Sequence, residues 1–258
     1  MKKLSYLFVM LLISACTNAA KPGSNTPTTI NQQPSTNNQQ PTTITQQPTP
    51  INDVRAMGLF GPVCEVTIFE YDAFQEGDKL IKGDEIENNR NQMKFNAKGL
   101  VTLDLWRGEY TYDANGKFVK GVSTKSKMRR DDKGRVVFYS QRNDDEDDAM
   151  FQNEFTYDNQ GRIVKIDRQF WETTAHETFT YEGDNIYPSK RILKCFDEGT
   201  VIDSETEYKY TKFDDHGNWT ECELSYRTTE GEEAGEDELT NVTHTKGNAI
   251  QVRNIKYY

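Results

Sequence analysis

Read only for apolar and polar positions, the chain falls into three stretches. Leu4 through Ile13 is a short apolar run in which Ser5 is the one clearly polar residue. Residues 17–52 offer almost no apolar positions. Beyond them come short runs rich in Val, Ile, Thr and aromatics: Glu65–Tyr71, Arg135–Ser140, Ile163–Ile166, Arg191–Cys195, Thr206–Tyr210, Trp219–Tyr226 and Ile250–Tyr258. Such residues suit a pleated, half-buried surface, so these runs predict strands. A weak helical period over Ala73–Ile86 is the one exception.

The turns between the strands are written in a recurring phrase. An aromatic, any residue and a second aromatic are followed by Asp, two variable residues, Gly, a basic or polar residue and an apolar one. It reads Tyr110-Thr-Tyr-Asp-Ala-Asn-Gly116-Lys-Phe and Phe155-Thr-Tyr-Asp-Asn-Gln-Gly161-Arg-Ile, with looser copies ending at Gly99, Gly134 and Gly217. The aromatics lie two apart and share a strand face. Asp or Asn opens a turn by accepting from backbone N–H groups ahead of it. Glycine three residues later takes the positive φ that a type I turn with a G1 bulge requires. Each phrase therefore predicts a β-hairpin, and the series predicts an all-β antiparallel meander, twisted and partly rolled. Two acidic segments, Asp144–Asp148 and Glu230–Glu238, are read as hairpin tips.

The N-terminal run, led by Lys2 and Lys3 and closed by Ile13-Ser14-Ala15-Cys16, fits a signal peptide and is too short to span a bilayer. Cleavage before Cys16 with lipid on its thiol is the leading reading; an ordinary secretory cut after Ala19 or Ala20 is the alternative. A cysteine bearing several acyl chains anchors stably. Residues 1–15 are thus the leader, 16–52 the lipidated cysteine and a Thr/Asn/Gln/Pro linker, and 53–258 the β domain. About 36 linker residues at ~3.1 Å each reach on the order of 110 Å when extended.

Charge narrows the partners. The chain carries 31 basic and 41 acidic residues, a formal charge of −10, before loss of Lys2 and Lys3 with the leader. That balance argues against nucleic acid and anionic lipid surfaces. Besides Cys16 there are Cys64, Cys195 and Cys222, too few for a disulfide framework. In a meander, Cys195 and Cys222 fall on strands separated by the one around Tyr208, too far apart to bridge.

The phrases Tyr112-Asp113-x-x-Gly116-Lys117 and Tyr157-Asp158-x-x-Gly161-Arg162 resemble YD (RHS-type) repeats. The wider pattern resembles short YD-repeat lipoproteins of Bacteroidota. Three segments add to it: Met57–Val63 opening the domain, Asp214-Asp215-His216-Gly217-Asn218-Trp219-Thr220 near its end, and Arg253–Tyr258 closing it. The resemblance implies a β shell with carbohydrate or protein contacts, here with few enough repeats to stay open.

Candidate chemistry is sparse. His176, His216 and His244 are the only histidines. His216 falls in a repeat turn beside Asp214 and Asp215, which explains it better than a metal or catalytic role. Asp144–Asp148 lacks the alternating ligands and glycine of a calcium loop. No metal, cofactor or catalytic residue is assigned. Of Trp106, Trp171 and Trp219, Trp171 follows Phe170 outside a repeat turn and is the candidate ligand-binding residue, its ring suited to stacking on a sugar or partner. The expectation is a lipid-anchored envelope protein, placed at the outer membrane with the leaflet left open. It would act as a non-catalytic binding module for protein or glycan. The alternatives are a structural envelope protein and a polysaccharide hydrolase using a carboxylate pair.

Overall fold

The Asx-and-glycine turns recur with one geometry. In the computed structural model, which describes residues 52–86, 89–104, 108–142, 151–235 and 238–258, Asp158 Oδ1 accepts from the backbone N–H of Gln160 and Arg162, each at 2.9 Å. Asn96, Asp113, Asp131 and Asp214 do the same two and four residues ahead. The glycine of each turn has φ between 73° and 85°, and the register slips at each, as a bulge demands.

These turns organise sixteen strands and one short helix among the described residues, all in one compact unit. Helix α1 (Asp53–Ala56) precedes β1 (Val63–Glu76), β2 (Lys79–Glu85), β3 (Asn91–Phe95), β4 (Val101–Asp104) and β5 (Gly108–Glu109). Next come β6 (Thr111–Tyr112), β7 (Phe118–Lys120), β8 (Lys127–Arg130), β9 (Val136–Gln141), β10 (Phe151–Tyr157) and β11 (Ile163–Phe170). The last are β12 (Thr173–Thr180), β13 (Lys190–Asp197), β14 (Thr200–Phe213), β15 (Trp219–Gly235) and β16 (Glu238–Tyr257). The predicted meander is present: β8 through β16 lie side by side in chain order. The main sheet then continues from β16 to β1, β3, β4 and β5, with β2 beside β1. First and last long strands therefore pair, with Glu65 opposite Lys256 and Ala73 opposite Asn248.

The sheet curls without closing into a barrel. Its edges, β5 and β8, are joined by the separate β6–β7 hairpin. Tyr110 and Phe118 from this link pack on Tyr139 of β9, with ring centroids 5.3 and 6.4 Å away. Helix α1 ties the other side. Buried Asp53 accepts from the Val101 N–H at 2.9 Å and is gripped by both terminal nitrogens of Arg130 on β8, at 2.6 and 3.0 Å. Val54, Leu59, Val66, Met93, Phe95, Tyr139 and Trp219 share one core, so strands from both flanks of the sheet pack together.

One sequence reading changes. Ala73–Ile86 is a hairpin, β1–β2, turning at Gly77-Asp78 with Gly77 at φ 59°. The turn chemistry and the pairing of Glu76 with Lys79 outweigh the weak helical pattern. Glu230–Glu238 is the tip of the β15–β16 hairpin, as read, with its strands paired up to Gly235 opposite Glu238. The leader, Cys16, the linker through Ile51, Trp106 and Asp144–Asp148 lie outside the described residues. Asn52, linker-like in composition, caps α1 by accepting from the Arg55 N–H and donates to the Lys98 carbonyl.

Candidate functional site

The meander sorts its turns by end. The repeat turns at Asn96, Asp131, Asp158 and Asp214 lie at one end, with Asn52 and α1 beside them. The turns at Gly77-Asp78, Trp171-Glu172 and Glu198-Gly199 lie at the other. These two ends carry different chemistry.

At the repeat end the phrase locks one hairpin to the next. Arg162 Nε donates to Asp158 Oδ2 at 2.7 Å, and its guanidinium lies 4.4 Å over the Tyr181 ring of the following hairpin. Tyr181 donates to the carbonyl of Ile163. One hairpin earlier, Arg135 pairs with Asp131, covers Tyr157 at 4.3 Å, and Tyr157 donates to the Val136 carbonyl. Burial raises both phenols above their ordinary range, so they remain donors. The aromatic stripe is thus packing between hairpins, not an open stacking platform.

The three segments singled out in the sequence converge at this end. Asn218, fully buried, accepts from the Phe60 N–H at 2.7 Å and donates to the Phe60 carbonyl at 2.9 Å and to the Tyr257 hydroxyl at 2.7 Å. Tyr257 in turn donates to Asp214. His216 stacks on Tyr257 with centroids 4.2 Å apart. It fills the space over Gly61, where a Cβ would come within 2.7 Å of its Nδ1. Arg253 lies 3.6 Å over buried Trp219. Together these contacts latch the first strand to the last. Neither a protein-family model nor a curated protein matches this chain.

At the opposite end stands Trp171. It opens the two-residue turn between β11 and β12, 62% exposed, and its ring stacks on Phe170 at 5.1 Å and 19°. Its φ of 48° is in the left-handed region, which an L residue with a bulky side chain adopts only at a cost. The neighbouring β13–β14 turn, Glu198-Gly199, has positive φ at both positions and places glycine at one of them. The Trp171 turn keeps an exposed indole where Asn or Gly would sit more easily.

The remaining chemical groups are spoken for or scattered. His176 meets Asp167 at 2.5 Å on the solvated face of β11–β12, and His244 meets Thr229 at 3.0 Å on β15–β16. Among the described residues, no group of three His, Cys, Asp or Glu is arranged to hold a metal. Cys195 and Cys222 sit on β13 and β15 with β14 between them, and these two and Cys64 are free thiols. Burial pushes the Cys195 and Cys222 thiols up to about 12, which removes thiolate reactivity at neutral pH. Sequence reasoning missed a set of charged residues on the inner face: Glu70, Arg168, Glu177 and Arg191 are all at most 8% exposed. Glu70 accepts from Gln251 and Asn89, and Glu177 from Arg168.

Proposed function

We propose that this chain is a lipid-anchored envelope protein, tethered through Cys16, whose β domain is a non-catalytic binding module for a protein or glycan partner. The Trp171 turn is the contact point. The observation that supports this reading is the exposed, stacked Phe170–Trp171 pair in a left-handed turn. Backbone strain kept at a surface turn is commonest where a side chain must be presented, and aromatic anchors dominate recognition surfaces. The chain enters the domain at the repeat end, where Asn52 caps α1, the end of the sheet opposite the Trp171 turn.

The test is capture. The mature chain, immobilised in detergent, is passed over envelope extract and over a glycan array, beside a Trp171→Ala variant. One partner or glycan class held by the wild type and lost by the variant supports the reading. Equal capture by both removes Trp171 from the site.

A second reading, a structural envelope protein with no specific ligand, draws on the outer face. There ion pairs such as Lys190–Glu205–Arg227, Lys209–Glu223 and Lys212–Glu221 satisfy one another across neighbouring strands.

A further inference from the structure

The net charge of the chain hides a local reversal. Residues 117–135 hold eight basic residues against two acidic ones, Asp131 and Asp132, a formal +6 within a chain of −10. This stretch runs through β7 and β8, at the seam of the curled sheet. Arg130 and Arg135 are taken up by Asp53 and Asp131. Among the described residues, Lys117, Lys120, Lys127 and Arg129 are exposed and have no acidic partner. Elsewhere on the outer face, cations such as Lys190, Lys209 and Lys212 are each answered by a glutamate on the next strand.

Packing fixes where these side chains point. Phe118 of β7 lies against Tyr139 in the core, so its neighbour Val119 turns away and is 56% exposed. Met128 of β8 packs on the same core, which turns Lys127 and Arg129 outward. Val122, 58% exposed, sits over Gly108 of β5, where a Cβ would come within 2.3 Å of its Cγ2. Two bare valines thus stand among four unpaired cations. The point where the chain enters the domain is close by. Asn52 donates to the Lys98 carbonyl, and Lys98 Nζ donates to the Ala114 carbonyl in the β6–β7 turn. Asp53 holds Arg130, next to Arg129.

We propose that this seam surface docks the domain on an anionic lipid bilayer. Lys117, Lys120, Lys127 and Arg129 meet the headgroup phosphates, and Val119 and Val122 enter the interface between them. Basic residues beside exposed apolar ones are the pattern that lies on a charged membrane, whereas a soluble polyanion offers the valines nothing. The overall negative charge does not oppose this, because exposed charges more than about 10 Å from the contact are screened by salt. The inference rests on the envelope reading only in placing a membrane within reach, and it needs no lipid on Cys16.

The experiment is sedimentation with vesicles of mixed phosphatidylglycerol and phosphatidylcholine, beside vesicles of phosphatidylcholine alone. The chain used begins at residue 16 and carries Cys16→Ser, so no acyl chain contributes, and a failure here says nothing against the tether. The expected result is binding to the phosphatidylglycerol vesicles only, weakening as salt is raised. Lys117→Gln with Lys120→Gln lowers the partition about 25-fold, roughly fivefold for each charge. Val119→Asn with Val122→Asn lowers it about tenfold. All four side chains are exposed, and equal melting temperatures check that the variants fold. No binding to either vesicle, or equal binding by the lysine variant, overturns the proposal. Binding lost with the lysines, unchanged in the valine variant and matched by heparin assigns the surface to an anionic glycan and overturns docking on lipid.

Discussion

Trp171 pays in backbone energy for a position on the surface. A left-handed residue other than Gly, Asn or Asp costs roughly 1–2 kcal/mol. Trp171→Asn should therefore stabilise the domain, by about 0.5–1 kcal/mol in urea unfolding, and under the proposed function it should abolish capture of the partner. A variant that gained stability and kept binding would detach the strain from function. Legibility at this scale was uneven. The exposure of Trp171 was readable because it falls outside the repeat turns. Arg191 was not, although a trace existed: it shares strand parity with Leu193 and Cys195, all three buried, while Ile192, Lys194 and Phe196 face out. Glu177 likewise shares parity with Ala175. A charge on the apolar parity of a strand is the signal that marks them, but alternating charges on a short strand read equally well as a solvated face.

The hairpin is the unit that the sequence specifies best, because its turn chemistry is local. Asp158 accepts two backbone N–H groups and the Arg162 guanidinium, and Gly161 takes φ 85°. Asp158→Ala should cost about 2 kcal/mol from the lost bonds, and Gly161→Ala about 1–2 kcal/mol from strain, both measured by chemical denaturation. Arg162→Lys should recover little, since an ammonium cannot pair with Asp158 while lying flat on Tyr181. Local chemistry does not record which hairpins become neighbours. For that reason the placement of β1 against β16 had no counterpart in the strand reading, even though the segments that build the latch had been noticed as motifs.

For the whole molecule, the open curl depends on a few ties across its seam. Asp53 and Arg130 join the start of the domain to the edge strand β8. Removing one partner of a buried pair is costly, so Asp53→Ala should destabilise by about 3 kcal/mol. Amides of β8 and β9 should then lose hydrogen-exchange protection before those of β14–β16. Acid should act broadly. Burial alone would raise the Asp131 and Asp158 carboxyls, but the Arg135 and Arg162 guanidiniums and the turn N–H groups outweigh it and hold both below the usual range. Lys256 holds Glu65 low in the same way. Carboxyls depressed in the folded state contribute stability that is complete above their unfolded values near pH 4 and lost as pH falls through the folded ones. Unfolding free energy should therefore drop steeply below about pH 4, and the slope should flatten in an Asp131→Asn, Asp158→Asn double variant.

The latch between β1 and β16 also sets a timetable. Glu65 and Lys256, which share a salt bridge, are 191 residues apart. A chain threaded through a membrane from its N-terminus delivers β1 first and its partner last. The hairpins between can form as they emerge, but β1 waits with an open edge until the final residues have crossed. Such long-range pairing is slow and leaves the intermediate prone to sticking. Under the proposed export, this fold would have an obligatory waiting period, in which a holding chaperone would matter more than it does for the finished protein.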